Sequence, residues 1–226
     1  MVGNLCLHFA GHAPSSMNYL AHAFLAGPQP ASRLGGLLGD FVKGPIESIA
    51  RHYPHAVVSG IALHRRIDSY ADRHPAFRRS RQRVSVLRRR FSGVMVDLFY
   101  DHFLARHWSV YCAQPLEAFT AEFYALLTGN QTLLPPRLAQ ALPGMRRDDW
   151  LASYRSIDAI GTALDRMSRY RLRRANPLAG AAEELQTGYT GYEADFRIFF
   201  ADTVAFCEAR RARRESTLPL RQFAMT

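Results

Sequence analysis

Side chains that can bind a metal recur at helical spacing in one part of the chain. If the segment is a helix, Val57, Ile61, His64, Asp68 and Asp72 lie along one stripe, because successive members are three or four residues apart. The last three residues of the stripe can bind a metal. A stripe that begins apolar and ends in ionisable groups predicts a helix whose buried face carries chemistry.

A second segment, 94–108, repeats this pattern. Its predicted stripe carries Asp101 between Leu98 and Ala105, and His102 adjoins the stripe. Burying an unpaired carboxylate is costly, so ionisable groups on the buried faces of two helices must be compensated. A divalent cation between the two helices is the simplest compensation. The pattern therefore favours a metal-dependent enzyme.

His64 and Asp68 are four residues apart, a spacing that lets two side chains converge on one ion. The alternative is a buried ion pair in which Arg65 or Arg66 neutralises Asp68. Spacing alone leaves both interpretations open.

Asp101 and His102 are adjacent, and adjacent side chains diverge by about 100° on a helix. They could reach one metal only from its edges, or serve two metals separately. In a third arrangement, one binds the metal while the other donates a proton.

Asp40 follows the glycine-rich run 35–39, which permits close backbone packing, and precedes Lys43 by three residues. This pair is either a metal ligand beside a phosphate-binding lysine or a salt bridge at a helix end. His22 lies among apolar residues, where a hydrogen-bonded core histidine is the simpler interpretation. The combined candidates form a mixed histidine and carboxylate set suited to Mn²⁺, Fe²⁺ or Mg²⁺ rather than to a thiolate zinc site. They are His22, Asp40, His64, Asp68, Asp101 and His102.

The elements that must position these residues are predicted to be helices throughout. Helical periodicity recurs from Asn18 to about Arg214, and strand signals are scarce. Pro75 and Pro177 are predicted in first helical turns, the latter after an N-cap at Asn176. The predicted helices lie near 18–26, 31–42, 54–73, 76–89, 92–112, 115–128, 135–141, 148–170 and 177–211, the last broken at Gly188 or Gly191. We therefore expect an all-α, single-domain helical bundle.

Composition limits the classes of protein and partner. The chain has 226 residues, 48% of them hydrophobic, which suffices for one domain with a full core. Its net charge of +10 favours an anionic partner. Three widely spaced cysteines indicate neither a disulfide framework nor a zinc knuckle, so a reducing cytoplasm is expected. The start of the chain lacks the basic region of a secretory signal, and no apolar run approaches membrane-spanning length.

Sequence motifs of other enzyme classes are missing, including the GxSxG elbow, the phosphate-binding GxxxxGK[ST] loop and the GxGxxG fingerprint. Arginine clusters at 78–90, 166–174 and 210–214 are either solvated helix faces or docking surfaces. The first cluster lacks the interleaved aromatic residues of a platform for single-stranded nucleic acid.

The ordered set of motifs resembles one known family, the acyl carrier protein phosphodiesterases, also called acyl carrier protein hydrolases. The resemblance extends from Met17 to about Arg210. It rests on MNYLAHAFLA (17–26), GDFVKG (39–44), GIALHRRID (60–68), DLFYDHFLARHW (97–108), WLASYRSID (150–158), MSRYRLRRANPL (167–178) and YEADFRIFF (192–200).

The resemblance implies a rearranged relative of the HD-domain phosphohydrolases. The implied reaction is hydrolysis of the phosphodiester that joins 4′-phosphopantetheine to a serine of holo-acyl carrier protein, with Mn²⁺ expected and Mg²⁺ or Fe²⁺ as alternatives. A metal-activated hydroxide would attack phosphorus in line, and the serine oxygen would leave.

Under this interpretation the expected roles of the residues fall into three groups. Asp40, His64, Asp68 and Asp101 are the expected metal ligands. His22 and His102 are the next candidates, either for ligation or for protonating the leaving oxygen. Lys43, Arg65 and Arg66 would neutralise the phosphate charge.

The implied partner is an acidic carrier protein, with no nucleic-acid or membrane partner. We expect residues 1–16 to be an N-terminal extension, 17–214 the phosphodiesterase domain and 215–226 a C-terminal tail. Two other functions stay open: an HD-like phosphohydrolase of nucleotides or other small phosphodiesters, and a non-catalytic basic helical binding protein.

Overall fold

The computed structural model describes residues 18–170 and 176–217. Within these ranges the chain forms helices and no strands, which confirms the all-α expectation. The expected extension at 1–16, the end of the tail and the arginines at 171–174 lie outside the described residues. The α-helices are α1 (Tyr19–Leu25), α2 (Pro30–Leu38), α3 (Ile46–Ile49), α4 (His55–Ala71), α5 (Pro75–Arg83), α6 (Ser92–Arg106), α7 (Trp108–Tyr111), α8 (Leu116–Gly129), α9 (Pro136–Arg147), α10 (Trp150–Ser153), α11 (Ile157–Tyr170), α12 (Ala182–Thr187) and α13 (Tyr189–Thr217).

Helix α6 runs through the centre of the molecule. Every residue from Met95 to Ala105 is buried. Helices α1, α5, α11 and α13 pack around it. A helix that is apolar on nearly all sides belongs in a core, so the acidic and histidine residues of α6 are enclosed by protein.

Helices α2 and α4 pack closely against each other, because glycines line their contact. A Cβ built on Gly60 would lie only 2.9 Å from the Cα of Gly35, and it would also overlap the Ser32 carbonyl oxygen. A Cβ on Gly39 would overlap the ring of His64. Only glycine therefore allows these two backbones to approach this closely, and the approach brings the end of α2 onto the middle of α4.

Several helix boundaries differ from the expected ones. Helix α2 ends at Leu38 rather than at 42, and the chain turns at once through 39–41. The helix expected at 76–89 ends at Arg83, because Val84 is extended, and a 3₁₀ helix (Val86–Phe91) follows.

Further along the chain, the expected helix 92–112 is divided at His107. The expected helix 148–170 is divided between α10 and α11. Pro75 begins α5 as expected, whereas Pro177 lies in a turn in which Asn176 accepts a hydrogen bond from the Leu178 amide. The last helix is interrupted at Gly188 and continues through Gly191.

Candidate functional site

Two histidines and an aspartate converge where α1 meets α4. Nε2 of His22 lies 3.1 Å from Oδ1 of Asp68, and Nε2 of His64 lies 3.2 Å from Oδ2 of the same carboxylate. One ligand atom from each of the three residues falls within 4.8 Å of the others. Oδ1 of Asp40 lies 3.8 Å from Nε2 of His64. We call these four residues the His–Asp cluster.

Three elements supply the His–Asp cluster. Helix α1 carries His22, and α4 carries His64 and Asp68 one turn apart on the same face. Asp40 lies in the turn that follows α2. The imidazole rings of His22 and His64 stack with their centroids 3.8 Å apart, so helices distant in sequence present their nitrogens side by side.

A backbone carbonyl orients His64. Nδ1 of His64 lies 2.7 Å from the carbonyl oxygen of Gly36, which can only accept, so Nδ1 carries the proton and donates it. The other ring nitrogen, Nε2, is thereby directed at the carboxylates of Asp68 and Asp40. Metal-binding histidines usually donate a hydrogen bond of this kind from the ring nitrogen that does not face the metal, and the bond fixes the orientation of the ring.

The two imidazoles have opposite pKa shifts. Burial and the neighbouring charge of His64 lower the pKa of His22 to about 4. Burial alone would also lower the pKa of His64, but its hydrogen bond to Asp68 and the charges of Asp40 and Asp68 raise it. Burial would raise the pKa of Asp68, but hydrogen bonds from both histidines lower it well below its ordinary value. Without a cation, these shifts favour a protonated His64 beside the negatively charged carboxylate of Asp68.

Asp101 of α6 lies behind the cluster and caps α1. Its two carboxylate oxygens accept hydrogen bonds from the backbone amides of Leu20 and Ala21, at 3.0 and 2.9 Å. These amides belong to the first turn of α1, where N–H groups have no partner within the helix. Burial raises the pKa of Asp101 to about 8, and the charge of Asp40 adds to the shift. Asp101 therefore fixes the start of the helix that carries His22.

The structure does not bring His102 to the cluster. Its Nδ1–H donates to the Tyr154 carbonyl at 2.9 Å, and Nε2 lies 3.1 Å from the Tyr189 hydroxyl. The ring faces a surface cleft that Arg106 and Arg155 also line. Its neighbour Asp101 points towards α1, because adjacent side chains diverge on a helix.

Arg66 of α4 and Asp72, the residue that follows α4, also lie away from the cluster. Asp72 ends the stripe at the surface, where it pairs with Arg81. Arg66 is exposed and lies two residues from both His64 and Asp68, which places it on the opposite side of α4. Asp68 pairs with two histidines, and not with Arg66 or with its neighbour Arg65, so the ion-pair alternative with an arginine is wrong.

Arg65 and Lys43 flank the cluster. The guanidinium of Arg65 donates to the carbonyl oxygens of Gly44, at 2.8 Å, and Val42, at 3.1 Å. These bonds hold the segment 42–44, which begins two residues after Asp40, against α4. Lys43 is exposed on that segment.

Comparisons with known proteins find relatives that match most of the chain. The family model for acyl carrier protein phosphodiesterase matches residues 17–203. The acyl carrier protein phosphodiesterase of Serratia proteamaculans (strain 568) is 37% identical over 185 residues, which cover 81% of this chain and 94% of the relative. The protein of the same name from Salmonella dublin is 36% identical over 190 residues, covering 84% of this chain and 96% of the relative. This chain belongs to the acyl carrier protein phosphodiesterase family. The expectation of an enzyme of this type is thereby confirmed.

No solved structure matches this member of the family. In the described parts of the chain, no helix is long and apolar enough to cross a membrane.

The His–Asp cluster of this family member fits a divalent cation. It offers imidazole nitrogens and carboxylate oxygens, and no thiolate, which is the donor chemistry of Mn²⁺ and Fe²⁺ sites more than of structural zinc sites. Both histidines are buried, whereas the side chain of Asp68 is 28% exposed. His22, His64 and Asp68 would hold such a cation, and the partly exposed Asp68 would leave it accessible from solvent.

Two features of this phosphodiesterase-family site carry little signal in the sequence. His22 was expected only after four other candidates, because a lone histidine among apolar residues resembles a core residue. No role was expected for Gly36, whose carbonyl orients His64. The glycine-rich run before Asp40 was the available signal, since it indicated a close backbone approach, but it did not reveal which side chain would meet that backbone.

Proposed function

We propose that this protein hydrolyses the phosphodiester that joins 4′-phosphopantetheine to a serine of holo-acyl carrier protein, and that it depends on a divalent cation, with Mn²⁺ as the expected ion. The observation that carries the proposal is the convergence of His22, His64 and Asp68 in a chain whose relatives bear the name acyl carrier protein phosphodiesterase.

The residues that would hold the cation are His22, His64 and Asp68, with Asp40 as a fourth donor. When bound, such a cation supplies Lewis acidity, which polarises phosphoryl oxygens and acidifies water. Asp101, proposed from the resemblance as a ligand, has both oxygens engaged by the α1 backbone. We therefore propose that the main role of Asp101 is to position His22.

The chain's own residues divide the remaining tasks. The Gly36 carbonyl keeps the Nε2 atom of His64 directed at the cluster. The partial exposure of Asp68 gives the substrate a route of approach. Arg65 holds the segment that carries Lys43 beside Asp40, and the ammonium of Lys43 would neutralise the charge of the bound phosphate.

The charge of the molecule supports a carrier-protein substrate. Carrier proteins are strongly acidic, and this chain has a net charge of +10. Opposite charges raise the rate at which two proteins meet.

The test is the mass of a holo-carrier protein before and after incubation with the purified enzyme, together with metal analysis of that enzyme. We expect conversion to the apo form with release of 4′-phosphopantetheine, loss of the activity on chelation and recovery with Mn²⁺. Hydrolysis of a nucleotide without any conversion of holo-carrier would favour the small-phosphodiester alternative. Hydrolysis of neither substrate would leave the non-catalytic binding protein.

A further inference from the structure

The 3₁₀ helix Val86–Phe91 exposes two large apolar side chains in the middle of an arginine cluster. Val86 is 89% exposed and Leu87 is 69% exposed. Among the large apolar residues in the described parts of the chain, only Val110 is as exposed as Leu87, and none is as exposed as Val86. In a 3₁₀ helix, residues three apart share a face, so Arg89 lies beside Val86 and Arg90 beside Leu87. We call these four residues the Val86 surface.

The exposure is not that of a loose loop, because the chain is fixed on both sides of the apolar pair. The Ser85 amide donates to Glu184 at 2.8 Å, and Arg88 donates to the Pro177 carbonyl at 2.7 Å and to Glu184 at 3.2 Å. Val84, which precedes this segment, is fully buried. A segment that is fixed by hydrogen bonds and yet exposes two adjacent apolar side chains to water indicates that these side chains contact a partner.

The arginines of the cluster differ in their contacts: some bind carboxylates of the protein, and others remain available to a partner. Arg79 and Arg83 both bind the buried carboxylate of Asp195, at 2.8 and 3.0 Å. Arg89 and Arg90 contact no carboxylate within the described residues; Arg89 donates to the Val84 carbonyl, and Arg90 lies over the Phe91 ring. Their charges are not neutralised by the protein itself.

A chain of contacts joins the Val86 surface to the His–Asp cluster. Asp72 lies one helical turn after Asp68 on the same face of α4 and accepts from Arg81, whose Nε also donates to the Ser92 hydroxyl at 3.3 Å. Ser92 directly follows the 3₁₀ helix. Adding the rise of each helix to the lengths of the side chains gives at most roughly 30 Å between Asp68 and Leu87. That span is comparable with the width of a small protein domain.

We infer that the Val86 surface docks the acidic carrier protein, with Val86 and Leu87 as apolar anchors and Arg89 and Arg90 as the charged rim. Apolar anchors with a rim of unneutralised charge are the usual anatomy of a specific protein interface. The inference rests on the proposed function, since it names where the substrate of the same site binds.

The first test replaces both apolar anchors, as Val86→Ser/Leu87→Ser. We expect KM for holo-carrier to rise about tenfold with kcat within twofold, because truncating interface anchors weakens binding and leaves the chemistry intact. Hydrolysis of bis(4-nitrophenyl) phosphate should not change. The matched control, Val110→Ser/Ile198→Ser, removes two other exposed apolar side chains and should leave KM unchanged.

The second test reverses the rim charges, as Arg89→Glu/Arg90→Glu, with Arg146→Glu/Arg169→Glu as the charge-matched control on α9 and α11. The rim variant should bind apo-carrier with a slower association rate that depends less on salt. Unchanged KM and association rate in both surface variants, or equal changes in the controls, would overturn the inference while the proposed function stands. Failure of the wild-type enzyme to convert holo-carrier would overturn both.

Discussion

Asp68 is the residue on which the His–Asp cluster depends. Each of its carboxylate oxygens faces a different imidazole, and it is the only member with substantial exposure among His22, His64 and Asp68. It therefore links α1 to α4 and also forms the open edge of the site. Substituting this residue changes the charge of the cluster without removing packing from the core.

Asp68→Asn should lower the affinity for Mn²⁺ by at least about tenfold. Replacing even a residue that only hydrogen-bonds to a metal ligand typically lowers the affinity by about 10–100-fold. Isothermal titration calorimetry measures the affinity. Asp72→Asn is the matched control, since Asp72 lies one turn further along the same stripe and is exposed. Equal affinities for Mn²⁺ in the wild type and Asp68→Asn would remove Asp68 from the site.

In the metal-free protein, the ion pair between His64 and Asp68 should make the stability depend on pH. The raised pKa of His64 means that its contribution is complete below its unfolded value of 6.5 and is lost as pH rises through the folded value. The lowered pKa of Asp68 means that its contribution is complete above 3.8 and is lost as pH falls. After chelation, Asp68→Asn should therefore lower Tm more at about pH 5.5 than at about pH 9. Equal decreases in Tm at both values would contradict the pairing.

At the level of single residues, part of the site could be predicted from the sequence. The spacing of His64 and Asp68 placed them together, because a helix has a fixed period. The pairing of His22 with Asp68, and the separation of His102 from Asp101, depend on how helices cross and on which face of α6 meets α1. No spacing within one helix contains that information.

The contact of α2 with α4 is the element on which the placement of His64 depends. Gly60→Ala would push a methyl group into Gly35 and the Ser32 carbonyl, so we expect a loss of about 1–3 kcal/mol of stability. Weaker Mn²⁺ binding should accompany it, because α4 moves away from Asp40. Thermal denaturation and calorimetry measure the two effects.

Gly93→Ala is the control for this glycine, since a Cβ at Gly93 meets nothing within 4 Å. It should be neutral or stabilising by up to about 1 kcal/mol, because alanine favours a helix over glycine. Equal stability of the Gly60→Ala variant and the wild type would show that the two helices can separate without cost.

The cap that Asp101 provides for α1 should also be measurable. Asp101→Ala leaves the buried amides of Leu20 and Ala21 without an acceptor, so we expect about 1–3 kcal/mol of destabilisation. Asp101→Asn keeps one acceptor oxygen and should fall between the alanine variant and the wild type. An unchanged free energy of unfolding in Asp101→Ala would show that the hydrogen bonds do not stabilise α1.

Most helices could be predicted from the sequence, because their apolar residues recur with a clear period. The boundaries were less predictable. The end of α2 at Leu38 follows from the turn that brings Asp40 back to His64, a tertiary requirement. The extended Val84 and the 3₁₀ helix after it depend on anchors to Glu184, which is distant in sequence.

The whole molecule combines a buried anionic and imidazole site with a basic exterior. Its charge of +10 predicted an anionic partner, and the family match gives that prediction a specific substrate class to test. The distribution of the charge could not be predicted, because four arginines of the cluster at 78–90 are bound by the carboxylates of Asp72, Glu184 and Asp195, which lie outside that segment.

The most direct test of the account is the mass spectrum of a holo-carrier protein incubated with Mn²⁺ and either the wild-type enzyme, Asp68→Asn or Asp72→Asn. We predict that the wild type and Asp72→Asn convert the carrier to its apo form and release 4′-phosphopantetheine, and that conversion by Asp68→Asn falls at least a hundredfold, about 2.7 kcal/mol of transition-state stabilisation. Conversion at the wild-type rate by a folded Asp68→Asn variant would contradict the assignment of the His–Asp cluster as the active site.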